Sequence, residues 1–455
     1  MSASPHRSAS LSLAHGDDTP DVNAKTPTCR HLRRTVLAVL ARLLAWYGAR
    51  RGGRTVVVAW VVTRVLTLVL LATAERFITG DVFYYWRHVA LLGDVGLPMT
   101  LREYPTPVVW FLSIPYGLTA GTRVGYLVGF LGLMLLLDAL FTYALWRSAG
   151  RRHDPGLDVW LLYVFLLGPL SYVRFDMVPA VLAGGAVLAL ARRPWLAGAL
   201  TGLGAAIKLW PALLIAAFAA PRRSRVAALA GFVAVGFGLA GLSLAVGGRT
   251  RLFSPLTWQS GRGLQIESVW ATPLMVARKV DPDRWSVAYS RFQAYEVFGP
   301  GVGPLLALST AMTALGLLVV VALIVRAFRH PAPDTVAIGL LVLSMVAVTT
   351  ITNKTLSPQY LLWMGGPAAA LLLVRSTRDA GERAVMTRLA GQLLALALLT
   401  HLVYPLLYNG ILGRGGSALV VASTVVTALR NLALLLFTIE VCRYAWRALR
   451  RPGAP

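Results

Sequence analysis

Acid is what this chain has least of. Only 19 of its 455 residues are Asp or Glu against 44 Lys and Arg, a formal net charge of +25, and charged residues of both signs make up 14%. A soluble domain carries about 25% charged residues, so a water-exposed globule is excluded. Cysteine is almost missing. Cys29 and Cys442 are the only two and both lie beside basic segments, which excludes a disulfide framework and a zinc-spaced thiol set. Residues 1–30 hold Ser, His, Asp and Pro but no apolar h-region, so a disordered cytoplasmic tail is expected there rather than a cleavable signal peptide. Walker and HExxH sequences are absent. Asp281-Pro282-Asp283 has the form of the Asp-x-Asp of nucleotide-sugar enzymes, yet Asp before Pro marks a turn, and no metal site is expected.

What is present in quantity is apolar: 56% of residues are hydrophobic and the mean hydropathy is +0.65. The apolar residues form runs of about 15 to 25, the length that crosses a bilayer core of about 30 Å. Arginine clusters fall between these runs, so the positive charge reads as a topology signal and no nucleic-acid partner is expected. An all-α polytopic membrane protein with about twelve spans follows: 55–73, 123–147, 157–173, 177–191, 195–207, 209–220, 225–247, 302–328, 334–352, 359–374, 385–406 and 417–444. The chain then divides into a basic N-terminal tail (1–54), a core of seven spans (55–247), an outer loop (248–301), a C-terminal helical module (302–446) and a cytoplasmic tail (447–455). Both termini are cytoplasmic in this reading, and 76–122 forms a first outer loop. Within it Val108 to Leu118, too short to span and broken by Pro115, is expected to be an interfacial helix. Counting it as a span would place arginine pairs outside, against the positive-inside bias.

Drawn this way, the unusual polar residues converge on the outer face. They are Asp81 with Tyr84, Tyr85 and Trp86; Arg102-Glu103-Tyr104-Pro105; Arg174-Phe175-Asp176; Lys208-Leu209-Trp210-Pro211; Trp258 through Ser268; and Asn353 through Tyr360. Three of the four lysines, Lys208, Lys279 and Lys354, fall on that side, which invites an anionic ligand. Plainer roles exist for each: a loop acid or cap for Asp81, a cap paired with Arg174 for Asp176, snorkelling for Lys208, a turn at Gly261 and Gly263, and a Ser357 cap ahead of Pro358. Inside the membrane, Arg64 and Asp138 count to equal depth and are expected to form a structural pair, so that exchanging them should restore part of the stability lost when either is removed alone.

These motifs resemble those of the GT-C superfamily of polytopic glycosyltransferases, and more narrowly glycosyltransferase family 87, the actinobacterial polyprenyl-phosphate-mannose-dependent mannosyltransferases. The residues that carry the resemblance are Gly80-Asp81, Tyr104-Pro105, Arg174-Phe175-Asp176, Ala205 to Pro211, Arg262 to Ser268 and Lys354 to Trp363. The resemblance implies a GT-C fold with two long outer loops carrying interfacial helices. It also implies inverting transfer of a sugar, mannose or alternatively arabinose, from a polyprenyl-phosphate donor to a lipid-linked or cell-envelope glycan acceptor at the outer face of the plasma membrane, with no cofactor. Asp81 would be the general base. Arg262, Lys354 and Lys208 would meet the donor phosphate, while Asp176, Glu267, Gln265, Gln359, Tyr85, Tyr104 and Trp258 would contact sugar or acceptor. A transporter is the competing class, disfavoured by one-sided polarity and the lack of an internal repeat.

Overall fold

A computed structural model describes residues 52–152, 154–374 and 380–450. The expected tail over 1–51, with Cys29, and the last residues of the C-terminal tail lie outside the described residues. In chain order the main helices are α1 (Gly53–Thr73), α2 (Gly80–Ala90), α3 (Thr106–Leu118), α4 (Arg123–Ser148), α5 (Pro155–Leu167), α6 (Met177–Ala189) and α7 (Pro194–Ile207). They continue with α8 (Arg225–Gln259), α9 (Thr272–Val280), α10 (Val302–Arg329), α11 (Thr335–Thr352), α12 (Leu362–Val374), α13 (Gly381–Leu406) and α14 (Ser417–Ala448). Among the described residues seven of these, α1, α4, α8, α10, α11, α13 and α14, are long and apolar enough to cross a membrane. The protein is an all-helical, multi-pass membrane protein in outline.

The remaining apolar helices are shorter than a bilayer requires, and prolines explain two of them. Pro211 and Pro221 bracket the expected span 209–220, which becomes one 3-10 turn (Trp210–Leu213) and the short helix Leu214–Phe218. Pro155 starts α5 at its first turn, with Asp154 capping Gly156 N. Burial sorts the helices into layers. α11 and α12 are buried nearly all round, as fits helices that are apolar on every side. α1, α8, α10 and α14 expose Val, Leu and Phe residues such as Val65, Phe237, Leu318 and Leu432, the surface that lipid tails would cover. Small residues set the close contacts of the interior: a Cβ on Gly184 would strike the backbone of Gly366, and one on Gly198 or Gly231 would strike the facing turn across the α7–α8 contact.

Three expectations change here. Pro115 does not break α3, which runs through it for 13 residues. Near the C-terminal end, the proline removes only the one bond to the Phe111 carbonyl, and Thr119 Oγ1 donates to the end carbonyl of Pro115 at 2.7 Å. α3 also packs inward, with Val108, Val109 and Leu112 fully buried against α2 and α4, while Ile114 and Leu118 remain exposed. The segment 248–301 is not purely helical: Ser286–Tyr289 (β1) and Tyr295–Phe298 (β2) form an antiparallel hairpin, with Val287 opposite Val297 and Tyr289 opposite Tyr295. Finally, the helical path of α8 is interrupted at Gly248, whose φ of +73° suits glycine, and resumes through Trp258.

Arg64 and Asp138 are joined by a bidentate pair, Nε to Oδ2 at 2.7 Å and Nη2 to Oδ1 at 3.0 Å. Asp138 also accepts from Trp60 Nε1, Trp160 Nε1 and Tyr172 Oη at 2.8 to 2.9 Å, and Arg64 Nη1 donates to the Leu161 carbonyl. The carboxylate is therefore the acceptor hub of α1, α4, α5 and the turn after α5. Asp138→Ala should lower stability in detergent by about 3 to 5 kcal/mol, because it leaves a buried guanidinium uncompensated. The exchange Arg64→Asp/Asp138→Arg should not restore it, since an arginine at 138 faces three donors; recovery to wild-type melting behaviour would overturn the hub description.

Candidate active site

A cavity of about 430 Å³ forms where α2, the loop over residues 103–105, Arg174, the end of α7, the Pro255–Glu267 stretch, the β hairpin and the segments 353–360 and 404–408 converge. Its position follows from the short helices. α7 ends at Lys208 because Pro211 prevents continuation, and the chain between them has its polar backbone facing a hollow rather than lipid.

Asp81 stands in the first turn of α2, where the helix dipole favours a carboxylate. It lines the cavity, is 29% exposed and touches the Arg174 guanidinium. The expected pairing of Arg174 with Asp176 is thus replaced by one with Asp81. Asp176 occupies the N-cap position of α6 without capping it. Its Oδ1 accepts instead from Lys208 Nζ at 2.5 Å and Trp363 Nε1 at 2.6 Å, and it lies 2% exposed behind the cavity wall. Lys208 does reach the cavity, yet it is committed to Asp176 and sits 4.8 Å from the Trp363 ring and 5.1 Å from Tyr360. As a phosphate ligand it is already matched.

Glu267 borders the cavity but is 1% exposed and held from behind. Arg430 of α14 donates to its carboxylate at 3.1 Å and its carbonyl at 2.7 Å, and Asn431 bonds the carbonyls of Glu267 and Ser268 and the Thr272 hydroxyl. Burial pushes the Glu267 carboxyl above the usual carboxylate range, with Arg430 and then Arg174 pulling it back. Glu103, also on the cavity, accepts from Tyr84 Oη at 2.7 Å.

Arg262 lines the cavity half-buried, donating at 3.3 Å to Gln259 Oε1 and to the Phe292 carbonyl. The glycine after it is required by space: a Cβ on Gly263 would lie 2.7 Å from the Glu296 carboxylate, which accepts from Gly263 N at 3.0 Å. Gln265 Nε2 bonds Ser357 Oγ at 3.1 Å, so Ser357 ties two cavity loops together instead of capping the turn at Pro358. Gln359 and Trp258 line the cavity, the latter edge-on to Phe292. Tyr104 also lines it, packed against Phe175.

Three expected site residues are not cavity-lining: Asp176, as above, Tyr85 and Lys354. Tyr85 is 2% exposed, enclosed by Tyr104, Phe130 and Phe175, because it lies on the buried face of α2. Lys354 sits behind the wall, where its carbonyl accepts from Gln265 N at 3.2 Å. Burial lowers its ammonium pKa while Glu296 opposes the shift. Several residues went unassigned in the sequence reading: Arg174 as a cavity cation, Trp363, Tyr404 and Tyr408 on the wall, Arg430, and Arg251. Arg251 follows the Gly248 break and clamps the 101–104 loop through the carbonyls of Leu101 and Tyr104.

Removing Arg430 tests whether the Glu267 wall depends on it. Arg430→Met should cost about 3 to 5 kcal/mol, and Arg430→Met/Glu267→Gln should return most of that. A carboxyl with a raised folded pKa favours folding below its unfolded pKa, and that contribution is lost as pH rises through the folded value. Without Arg430 the rise is larger, so the single variant should gain stability on acidification from about pH 8 to about pH 5 relative to the double variant. Parallel melting profiles of the two would contradict this.

No curated protein matches the chain. Residues 103–298, which contain Arg174, Lys208, Arg262 and Glu267 but neither Asp81 nor the 353–363 segment, match the model of glycosyltransferase family 87, and this similarity supports membership of that family and a glycosyltransferase activity.

Proposed function

We propose that this protein is an inverting glycosyltransferase that moves a sugar, mannose by preference, from a polyprenyl-phosphate donor to a hydroxyl of a lipid-linked or cell-envelope glycan. The observation that carries the reading is the commitment of the other carboxylates around the cavity. Asp176 is bound by Lys208 and Trp363, Glu267 by Arg430, and Glu103 by Tyr84, whereas Asp81 faces the hollow with Arg174 as its contact. In the reaction the acceptor oxygen bonds to the anomeric carbon, the carbon–oxygen bond to phosphate breaks, and the hydroxyl proton passes to Asp81. General-base assistance of this kind is typically worth about 10² to 10⁴-fold. The leaving phosphate gains negative charge, and Arg174 and Arg262 are the cations that line the cavity with donor groups to offer it. Trp258, Tyr104 and the Tyr360–Trp363 stack offer flat faces to sugar rings.

In this proposal α5, α6, α7, the segment 209–220 and α12 join the seven long helices in a GT-C arrangement of twelve, the cavity opens to the outer face of the plasma membrane, and both termini are cytoplasmic. Cysteine at Leu118, which is 79% exposed, should then react with an impermeant thiol reagent on intact spheroplasts, whereas cysteine at Arg222 should react only after lysis. The reverse pattern would invert the topology.

Asp81→Asn keeps shape and hydrogen bonding but cannot take a proton, so transfer of label from polyprenyl-phosphate-mannose should fall at least about 10²-fold with donor binding retained. Arg174→Gln should weaken donor binding as well as turnover. Normal transfer by Asp81→Asn would move the base to another carboxylate, and transfer from an arabinose donor alone would replace the sugar.

A further inference from the structure

α10 and α14 carry a second feature, far from the cavity. Their first residues follow the hairpin and the Tyr404–Tyr408 segment that line it, so their last turns lie at the opposite end of the bundle. There an open groove of about 430 Å³ runs between them. One side is apolar, with Val319 and Leu323 of α10; the other presents Arg443 and Arg447, one turn apart on α14, and Arg450 in the turn that follows it. Trp446 lies between, with the Arg326 guanidinium 4.4 Å from its ring and that of Arg450 at 5.9 Å. Among the described residues none of these four arginines has a carboxylate within ion-pair distance, and Glu440 of α14 is paired with Arg388.

Arg326 and Arg450 face the Trp446 ring, Arg443 and Arg447 line the same groove, and guanidinium groups collected in this way repel one another and are stabilised by an anion. Two further observations say which kind. The groove continues along α10 into exposed Leu315, Leu318 and Val325, a face that meets acyl chains rather than water. Trp446 between apolar wall and arginines matches the interfacial preference of tryptophan. We propose that this groove binds an anionic phospholipid, its phosphate held by Arg443, Arg447 and Arg450 and an acyl chain lying on Val319 and Leu323. The site is independent of the catalytic reading above.

Arginines elsewhere at the same end give the control that separates a site from general surface charge. α7 reaches the cavity at Lys208, so Arg192, before its first residue, lies at the far end, as do Arg222 and Arg223 ahead of α8; all three are exposed in turns. The full chain, purified in detergent, is titrated with phosphatidylglycerol or phosphatidylcholine and bound lipid is counted by native mass spectrometry. Wild type should retain phosphatidylglycerol preferentially. The triple variant Arg443→Gln/Arg447→Gln/Arg450→Gln should lose on the order of 10²-fold in affinity, about 5-fold per arginine, while Arg192→Gln/Arg222→Gln/Arg223→Gln should keep wild-type retention. Equal loss in both triples, or no preference for the anionic lipid, overturns the proposal. Displacement by inorganic phosphate would assign the groove to a soluble anion and overturn the lipid. Should the groove triple fold poorly, phosphatidylglycerol brominated on its acyl chains should quench tryptophan emission less in Trp446→Phe than in wild type; identical quenching overturns it too.

Discussion

A charge withdrawn from water must be matched by donors or counter-charge, and in a chain with 19 acids that requirement organises the whole bundle. Asp138 gathers Arg64, two tryptophans and a tyrosine from three other parts of the chain; Asp176 links the start of α6 to Lys208 at the end of α7 and to Trp363; Glu267 is gripped by α14. Glu75, buried after α1, meets His401 of α13 at 2.8 Å. Each pair joins elements distant in sequence, so the acids act as cross-links among helices whose apolar surfaces alone would pack with little preference in lipid. Asp81, by contrast, lines the cavity in contact with Arg174 and is partly exposed.

The helices were legible because run length and arginine placement are properties of the chain itself. What hydropathy gives is depth along the membrane normal, not the direction in which a side chain points around its helix. That is why Arg64 and Asp138 could be matched by counting, whereas Tyr85, adjacent to cavity-lining Tyr84, turned out to face the interior: one residue along a helix is a rotation of about 100°. Lys354 is a related case, since counting did not reveal that its carbonyl accepts from Gln265 N in the neighbouring loop. Arg430 was within reach of sequence reasoning. A guanidinium in the middle of an apolar run is the same signal that singled out Arg64, but its partner lies 163 residues away in a loop and no counting of spans pairs the two. The hairpin was hidden because four-residue strands carry too little alternation to stand out from a polar loop.

The cavity exists because the helices around it stop early. Lys208 follows α7 and Asn353 follows α11; α8 is interrupted at Gly248; α6 begins at Met177 directly behind Arg174. Helix ends carry unsatisfied carbonyls and N–H groups that hydrocarbon cannot accept, so several ends gathered at one level require a shared polar space, and side chains able to bond them collect there. Trp270 and Thr313 do this for the Thr352 carbonyl at the end of α11, and Arg251 on the Leu101 and Tyr104 carbonyls and Arg430 on the Glu267 carbonyl do the same for the adjoining loops. A binding hollow is then a consequence of backbone satisfaction as much as of ligand contact.

The same logic separates the two ends of the bundle. At the cavity end three cations are matched, Arg174 by Asp81, Lys208 by Asp176 and Arg430 by Glu267, while Arg262 meets neutral acceptors, the Gln259 side chain and the Phe292 carbonyl. At the other end Arg192, Arg193, Arg222, Arg223, Arg443, Arg447 and Arg450 stand exposed without carboxylates among the described residues, so part of the +25 excess is concentrated there. A protein polarised in this way is oriented by its charge, since unmatched guanidinium groups are retained on the side where they remain solvated and an anionic surface attracts them. Matched pairs cost little to carry across the bilayer core in comparison, which is why the few acids accompany the site and the surplus of arginine does not.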